Sequence, residues 1–334
     1  TDAKRVIVCC RCRMLRSHMY CLTPKMTSVP SGEWFCQECK DVEDEVRRLS
    51  ADEGHEYTLG EFNDACIEFD KAFFGEEAKR TGISIQAIEE CFWRMVEEPT
   101  PADDVCEVKC GSCIDTTRHG SGFPRPGETP KVKIEGASAE NVKQCTESLW
   151  NLNNIARANG DQVSMLAALK EDVVGVTTPC LEIGSTFSST TWRREDHQLY
   201  SITYNHWGAA KTWYSVPASA AEQLENCFKN LMPDVFEDNP DALKRLFTML
   251  SPNALMAAGV PVYTLEQYPG EYVVTYPGAY YATFNCGLNC TESVNFAPPD
   301  WLAFGLESVE RNRLHASPSL FSHDQLLCDS AEEP

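Results

Sequence analysis

Between Thr191 and Pro217 the chain reads Thr-Trp-Arg-Arg-Glu-Asp-His-Gln-Leu-Tyr-Ser-Ile-Thr-Tyr-Asn-His-Trp-Gly-Ala-Ala-Lys-Thr-Trp-Tyr-Ser-Val-Pro. β-Branched and aromatic residues gather at 200–204 and again at 212–216, which predicts two strands. Arg193 and Glu195 stand two apart, so in extended chain both side chains leave one face. Further short strands are predicted at 181–187, 271–276 and 293–296, and an acidic helical excursion at 218–249 interrupts them. Short strands broken by turns and flanked by helices are the layout of a jelly roll, a barrel of two packed sheets, in an α+β chain.

A second informative stretch is Tyr276-Pro-Gly-Ala-Tyr-Tyr-Ala-Thr-Phe-Asn285, continued by Glu292-Ser-Val-Asn-Phe296. With the first, it resembles the core of the Jumonji-C oxygenases, specifically the Lid/JARID subfamily that demethylates lysine 4 of histone H3. There the first stretch reads Trp-His-x-Glu-Asp-His, runs through Tyr-Ser-Ile-Asn-Tyr and closes with His-Trp-Gly-x-x-Lys-x-Trp-Tyr-x-Val-Pro. The resemblance covers residues 57–328 and implies a cupin-type double-stranded β-helix, the JmjC jelly roll.

In that subfamily the first His, the Glu and a His from the later stretch hold one Fe(II). Here Glu195 stands at the carboxylate, but Arg193 and Tyr281 stand at the two histidines. A facial triad needs two neutral imidazoles and one carboxylate. A guanidinium stays protonated and has no lone pair to donate. A phenolate can ligate iron, so Tyr281 alone decides nothing. His197 shares the face of Glu195, but the subfamily has a non-ligand histidine at that place. Set beside the resemblance, Arg193, Glu195 and Tyr281 imply a degenerate iron site with no Fe, and a pseudo-demethylase instead of an enzyme. The Arg193 guanidinium is expected to replace the lost cation by pairing with Glu195 or hydrogen-bonding the Tyr281 hydroxyl.

The resemblance also implies a remnant 2-oxoglutarate pocket. Lys211 matches the lysine that holds the oxo-acid, Ser201 and Asn285 match pocket residues, and Thr203 replaces an asparagine. Thr190 and Cys110 replace a phenylalanine and a tyrosine. Whether 2-oxoglutarate still binds is left open by this set.

The N-terminal residues carry Cys9-x-x-Cys12, His18-x-x-Cys21 and Cys36-x-x-Cys39, with Trp34 just before the last pair. This order resembles the back half of a PHD finger. Cys9, Cys12, Cys36 and Cys39 suffice for a four-thiolate zinc site. His18 and Cys21 are ligands of a second zinc whose other pair would lie upstream, unless the finger is a one-zinc form. Cys106, Cys110, Cys113 and His119 have spacing loosely compatible with another zinc, but the subfamily has no metal there. Seventeen cysteines in a 334-residue chain read as zinc ligands and buried thiols, not as a disulfide scaffold.

The formal charge of −21 argues against strong direct DNA binding and suits a basic partner such as a histone H3 tail. No signal peptide and no long apolar run is expected, so neither secretion nor a membrane span is. From 57 to 96, Phe62, Cys66, Phe69, Phe73, Ile85, Ile88 and Phe92 recur at helical spacing, predicting helices that pack on the core. The expected organisation is a PHD-type zinc finger over 1–45, a linker and helical region over 46–125, and the JmjC jelly roll over 126–328. The function implied is a catalytically inactive scaffold or histone-interaction subunit of a nuclear chromatin-regulating complex. Two alternatives stand beside it: an active Fe(II)/2-oxoglutarate-dependent histone H3 lysine demethylase, and a 2-oxoglutarate sensor without turnover.

Overall fold

The computed structural model describes residues 55–75, 82–98, 106–125, 138–158, 164–233, 249–314 and 319–332, with a few isolated positions and two short N-terminal strands. Two compact units divide the chain, Thr1–Gly60 and Glu61–Pro334. In the first unit, β1 (Val6–Val8) pairs antiparallel with β2 (Arg16–His18), Val6 opposite His18. Of the expected zinc ligands only the backbone of His18 is described; Cys9, Cys12, Cys21, Cys36 and Cys39 lie outside the described residues.

The second unit begins with helices α1 (Leu59–Phe74, which starts just before the unit boundary) and α2 (Ile85–Glu97), where helical periodicity placed them. Ser84 caps α2, its hydroxyl accepting from the Ala87 N–H at 3.2 Å. The strands follow: β3 (Cys110–Asp115), β4 (Cys180–Gly184), β5 (Ser189–Arg193), β6 (Tyr200–Gly208) and β7 (Lys211–Val216). After helix α3 (Ala221–Leu231) come β8 (Tyr263–Gln267), β9 (Tyr272–Thr275), β10 (Tyr280–Asn285) and β11 (Asn289–Phe296), then α4 (Leu302–Leu314) and α5 (His323–Glu332). Two antiparallel sheets result, ordered β5-β10-β7-β8 and β3-β4-β11-β6-β9. Two such sheets with flanking helices fit the cupin-type jelly roll.

Alternation along the strands decides which side carries what. On β5, β7 and β10 one set of alternate residues is apolar: Trp192, Tyr214, Val216, Tyr280, Ala282 and Phe284 are buried in one cluster with Ile88 and Phe92 of α2 and Leu224 and Phe228 of α3. Phe92 stacks on Phe284 with ring centroids 4.4 Å apart and planes 16° apart. Trp93 donates its indole N–H to the Tyr214 hydroxyl at 2.8 Å, and Trp192 donates to the Leu250 carbonyl at 2.9 Å, so both aromatic donors keep a partner when buried. The intervening residues Lys211, Trp213, Tyr281, Thr283 and Asn285 sit on the other face, in register with one another across β7 and β10. Helices therefore cover the apolar side, and a largely polar side is left to face the second sheet.

The Gly120-Ser-Gly-Phe-Pro124 turn is tied down by one fully buried carboxylate. Glu292 accepts from the Ser121 hydroxyl at 2.6 Å and the Gly122 N–H at 2.9 Å, and pairs with His206 Nε2 at 2.8 Å. A Cβ on Gly122 would come within 2.2 Å of the His206 ring, so this approach requires glycine.

Candidate functional site

The polar faces of the two sheets meet through hydrogen bonds. Lys211 of β7, 3% exposed, reaches Glu182 Oε1 of β4 at 2.6 Å. Asn285 Nδ2 donates to Ser188 Oγ at 2.8 Å and to Glu182 Oε1 at 3.3 Å, while its Oδ1 accepts from Asn289 at 2.8 Å. Burial pushes the Glu182 carboxyl upward, but Lys211 and Asn285 outweigh it and hold it below the ordinary carboxylate range. Gly184 makes room for this arrangement, because a Cβ there would lie 2.2 Å from Asn285 Nδ2.

Ser201 and Thr203 are buried on β6, opposite Asn295 and Ser293 of β11. Lys211, Ser201, Thr203 and Asn285 thus all lie in the buried polar layer. Glu182 is the member that the sequence did not single out. It comes from a strand 29 residues before its lysine partner, and no local pattern ties the two.

Around the expected iron positions the geometry differs from the sequence reading. β5 ends at Arg193, and Glu195 follows in extended backbone just before the turn Asp196–Gln198. His197 and Gln198 there adopt left-handed φ of 53° and 50°. Arg193 does lie opposite Tyr281 in the β5–β10 ladder. The Glu195 carboxylate, however, is taken up by others: the Tyr281 hydroxyl donates to Oε1 at 2.6 Å and Asn295 Nδ2 donates to Oε2 at 3.1 Å. Arg193 is solvent-exposed and makes no hydrogen bond to either of them, which corrects the expectation of a direct pair. The reason is positional: the strand ends at Arg193, while Tyr281 reaches across from the neighbouring strand. The Tyr281 oxygen, then Glu195 and Asp196, push the guanidinium above its ordinary value against the effect of burial, so it stays protonated.

These residues do not fit a two-imidazole, one-carboxylate iron set. Arg193 cannot donate a lone pair. Burial and the neighbouring Glu195 carboxylate push the Tyr281 phenol well above its ordinary value, which opposes the phenolate that a metal would need. Glu195 is the one member with a donor suited to iron. Among the described residues, no group of three or more His, Cys, Asp or Glu side chains gathers as a metal site. No helix among them is long and apolar enough to cross a membrane.

Residues 180–296, from the first residue of β4 to the last of β11, match the JmjC domain, hydroxylase. The chain is 41% identical over 311 residues, 93% of its length, to "Lysine-specific demethylase JMJ17" of Arabidopsis thaliana. It is 39% identical over 99% of its length to "Lysine-specific demethylase 5B" of Gallus gallus, and 41% identical over 86% to "Lysine-specific demethylase JMJ703" of Oryza sativa subsp. japonica. The chain spans 24%, 21% and 22% of these relatives' own lengths. This overturns the expectation that the chain stands outside enzymes. At 39–41% identity over nearly all of it, its relatives are named as lysine-specific demethylases, an enzyme family.

Proposed function

We propose that the barrel, whose residues 180–296 match a JmjC domain, is of the histone lysine-demethylase type and engages methylated lysines on a basic, histone H3-type tail within a nuclear chromatin protein. The observation that supports this most is similarity to lysine-specific demethylases along 86–99% of the chain. The net charge of −21 adds a complementary field for a tail rich in Lys and Arg. The zinc finger read at Cys9, Cys12, Cys36 and Cys39, with His18 and Cys21 beside it, is part of the same proposal, as is association with further chromatin-complex subunits.

Calorimetric titration of the full chain with a trimethyl-lysine histone H3 tail peptide tests the reading. Saturable binding that weakens as salt rises is the expected result. Binding no better than that of a scrambled peptide of equal charge overturns it. Lysine demethylation itself, the activity in the relatives' names, is the second reading. It is read out separately as a mass loss of about 14 daltons per methyl that depends on added iron and 2-oxoglutarate. No step is routed through iron here, because Arg193 and Tyr281 do not fit it.

A further inference from the structure

One edge of the four-stranded sheet is open. β8 is its last strand and runs along β7 in unbroken register, from Gln267 opposite Lys211 to Tyr263 opposite Ser215. In an antiparallel pair, alternate residues turn their N–H and C=O groups away from the partner strand. Among the described residues, those outward groups of β8 meet no further strand. Tyr263, Thr264, Leu265 and Glu266 are all exposed, Tyr263 at 65% and Leu265 at 45%. Edge strands are ordinarily blunted by lysines, prolines or a bulge. β8 carries none of these.

The edge is also held in place from behind. The Gln267 side chain at its end is fully buried: Oε1 accepts from the Trp213 indole at 2.9 Å, and Nε2 donates to the Thr203 and Glu271 carbonyls at 2.9 and 3.0 Å. The Gly270 N–H donates to the Asn205 carbonyl at 2.7 Å, and the Asn205 N–H to the Glu271 carbonyl at 3.2 Å. The turn after β8 is thereby fastened to β6 of the other sheet. A strand fixed in this way has little freedom left to lose when another chain pairs with it.

Charge selects the occupant. Residues 246–310 include Glu266, Glu271, Glu292, Asp300, Glu307 and Glu310 but no Lys, Arg or His. Glu266 lies on the open edge and Glu271 just beyond it, both exposed. A second copy of the chain would bring the same acidic edge and a further charge of −21, which repels. We propose that the outer edge of β8 docks an extended basic segment of a partner protein, which adds as a further strand of this sheet. Main-chain hydrogen bonds to β8 set its register. Apolar side chains on one of its faces lie beside Tyr263 and Leu265, and a Lys or Arg on the other face meets Glu266. β8 is three strands from β5, roughly 14 Å at the usual strand spacing. The occupant needs no methyl group, so this site stands apart from the lysine reading.

The probe is a fluorescein-labelled nonapeptide that alternates Lys with Val and carries no methylated side chain, added to the full chain. Anisotropy should show saturable binding, and hydrogen exchange should slow within 263–266. Glu266→Lys should weaken binding about ten-fold, and so should Tyr263→Lys, which sets a like charge on the edge. Methylating one alternate set of the peptide's backbone nitrogens should abolish binding while the other set leaves it intact, because only one set faces β8. Absence of saturable binding overturns the proposal, as does unchanged affinity in both variants. Equal effects of the two methylated sets also overturn it, since charge alone would then hold the peptide. So does a sedimenting dimer that Tyr263→Lys dissolves, which would place a second copy of the chain on this edge.

Discussion

The Tyr281 hydroxyl donates a 2.6 Å hydrogen bond to Glu195 Oε1, joining β10 to the segment that leaves β5. Asn295 from the other sheet donates to the second oxygen of the same carboxylate at 3.1 Å. One carboxylate thus fastens the two sheets together, at the residues where the sequence resemblance led one to expect an iron site. Hydrogen bonds to charged groups contribute about 1.5–3 kcal/mol each. Tyr281→Phe is expected to lower unfolding free energy by about that amount, measured by urea denaturation. A change under about 0.5 kcal/mol, the range of an ordinary surface substitution, would show that the bond does not fasten the sheets.

A second tie is the Lys211–Glu182 pair at 2.6 Å, with the lysine fully enclosed. Removing one partner strands a charge, at a cost of about 3–5 kcal/mol. Lys211→Met is expected to lose about that much, and Lys211→Met with Glu182→Gln less than the single change. Equal losses in the single and double variants would contradict the pairing.

The same pair sets a pH dependence. The folded Glu182 carboxyl is held below its ordinary value. Its contribution to stability is therefore fully present above the unfolded carboxylate pKa of about 4.3 and is lost as pH falls through the lower folded value. Melting temperature followed from pH 6 downward should fall below pH ~4 in the wild type, and less steeply in Glu182→Gln. Parallel curves would count against it.

Phe92 is 4% exposed and stacks on Phe284, bridging α2 to the barrel. Phe92→Ala should destabilise by about 3–5 kcal/mol through lost burial and a cavity. Phe92→Leu, which keeps most of the volume, should cost clearly less; equal costs would mean that packing is not the cause.

Much of this barrel was readable along the chain. Short β-branched and aromatic segments broken by turns placed β4, β6, β7, β9 and β11, and helical spacing of Phe62, Cys66, Ile88 and Phe92 placed α1 and α2, because both signals are local. Lys211, Ser201, Thr203 and Asn285, singled out through the resemblance, are all buried, on β7, β6 and β10. What the chain did not disclose were partners far apart in sequence. Glu182 reaches Lys211, and Tyr281 takes Glu195 across 86 residues. Side-chain chemistry made Arg193 the expected partner of Glu195, but the end of β5 and the turn that follows gave that carboxylate to Tyr281 and Asn295. The register slip between Gly111 and Ile114 on β3 was equally silent, since no residue type announces it.

The most direct test of lysine-tail engagement by the barrel uses a histone H3 tail peptide with a photo-crosslinker beside its trimethyl-lysine. After irradiation with the full chain, crosslinked peptides are mapped by mass spectrometry. The expected crosslinks fall within residues 180–296, on the strands that carry Arg193, Glu195 and Tyr281, and excess unlabelled peptide competes them away. Crosslinks confined to residues 1–60, or insensitive to competition, would contradict the account.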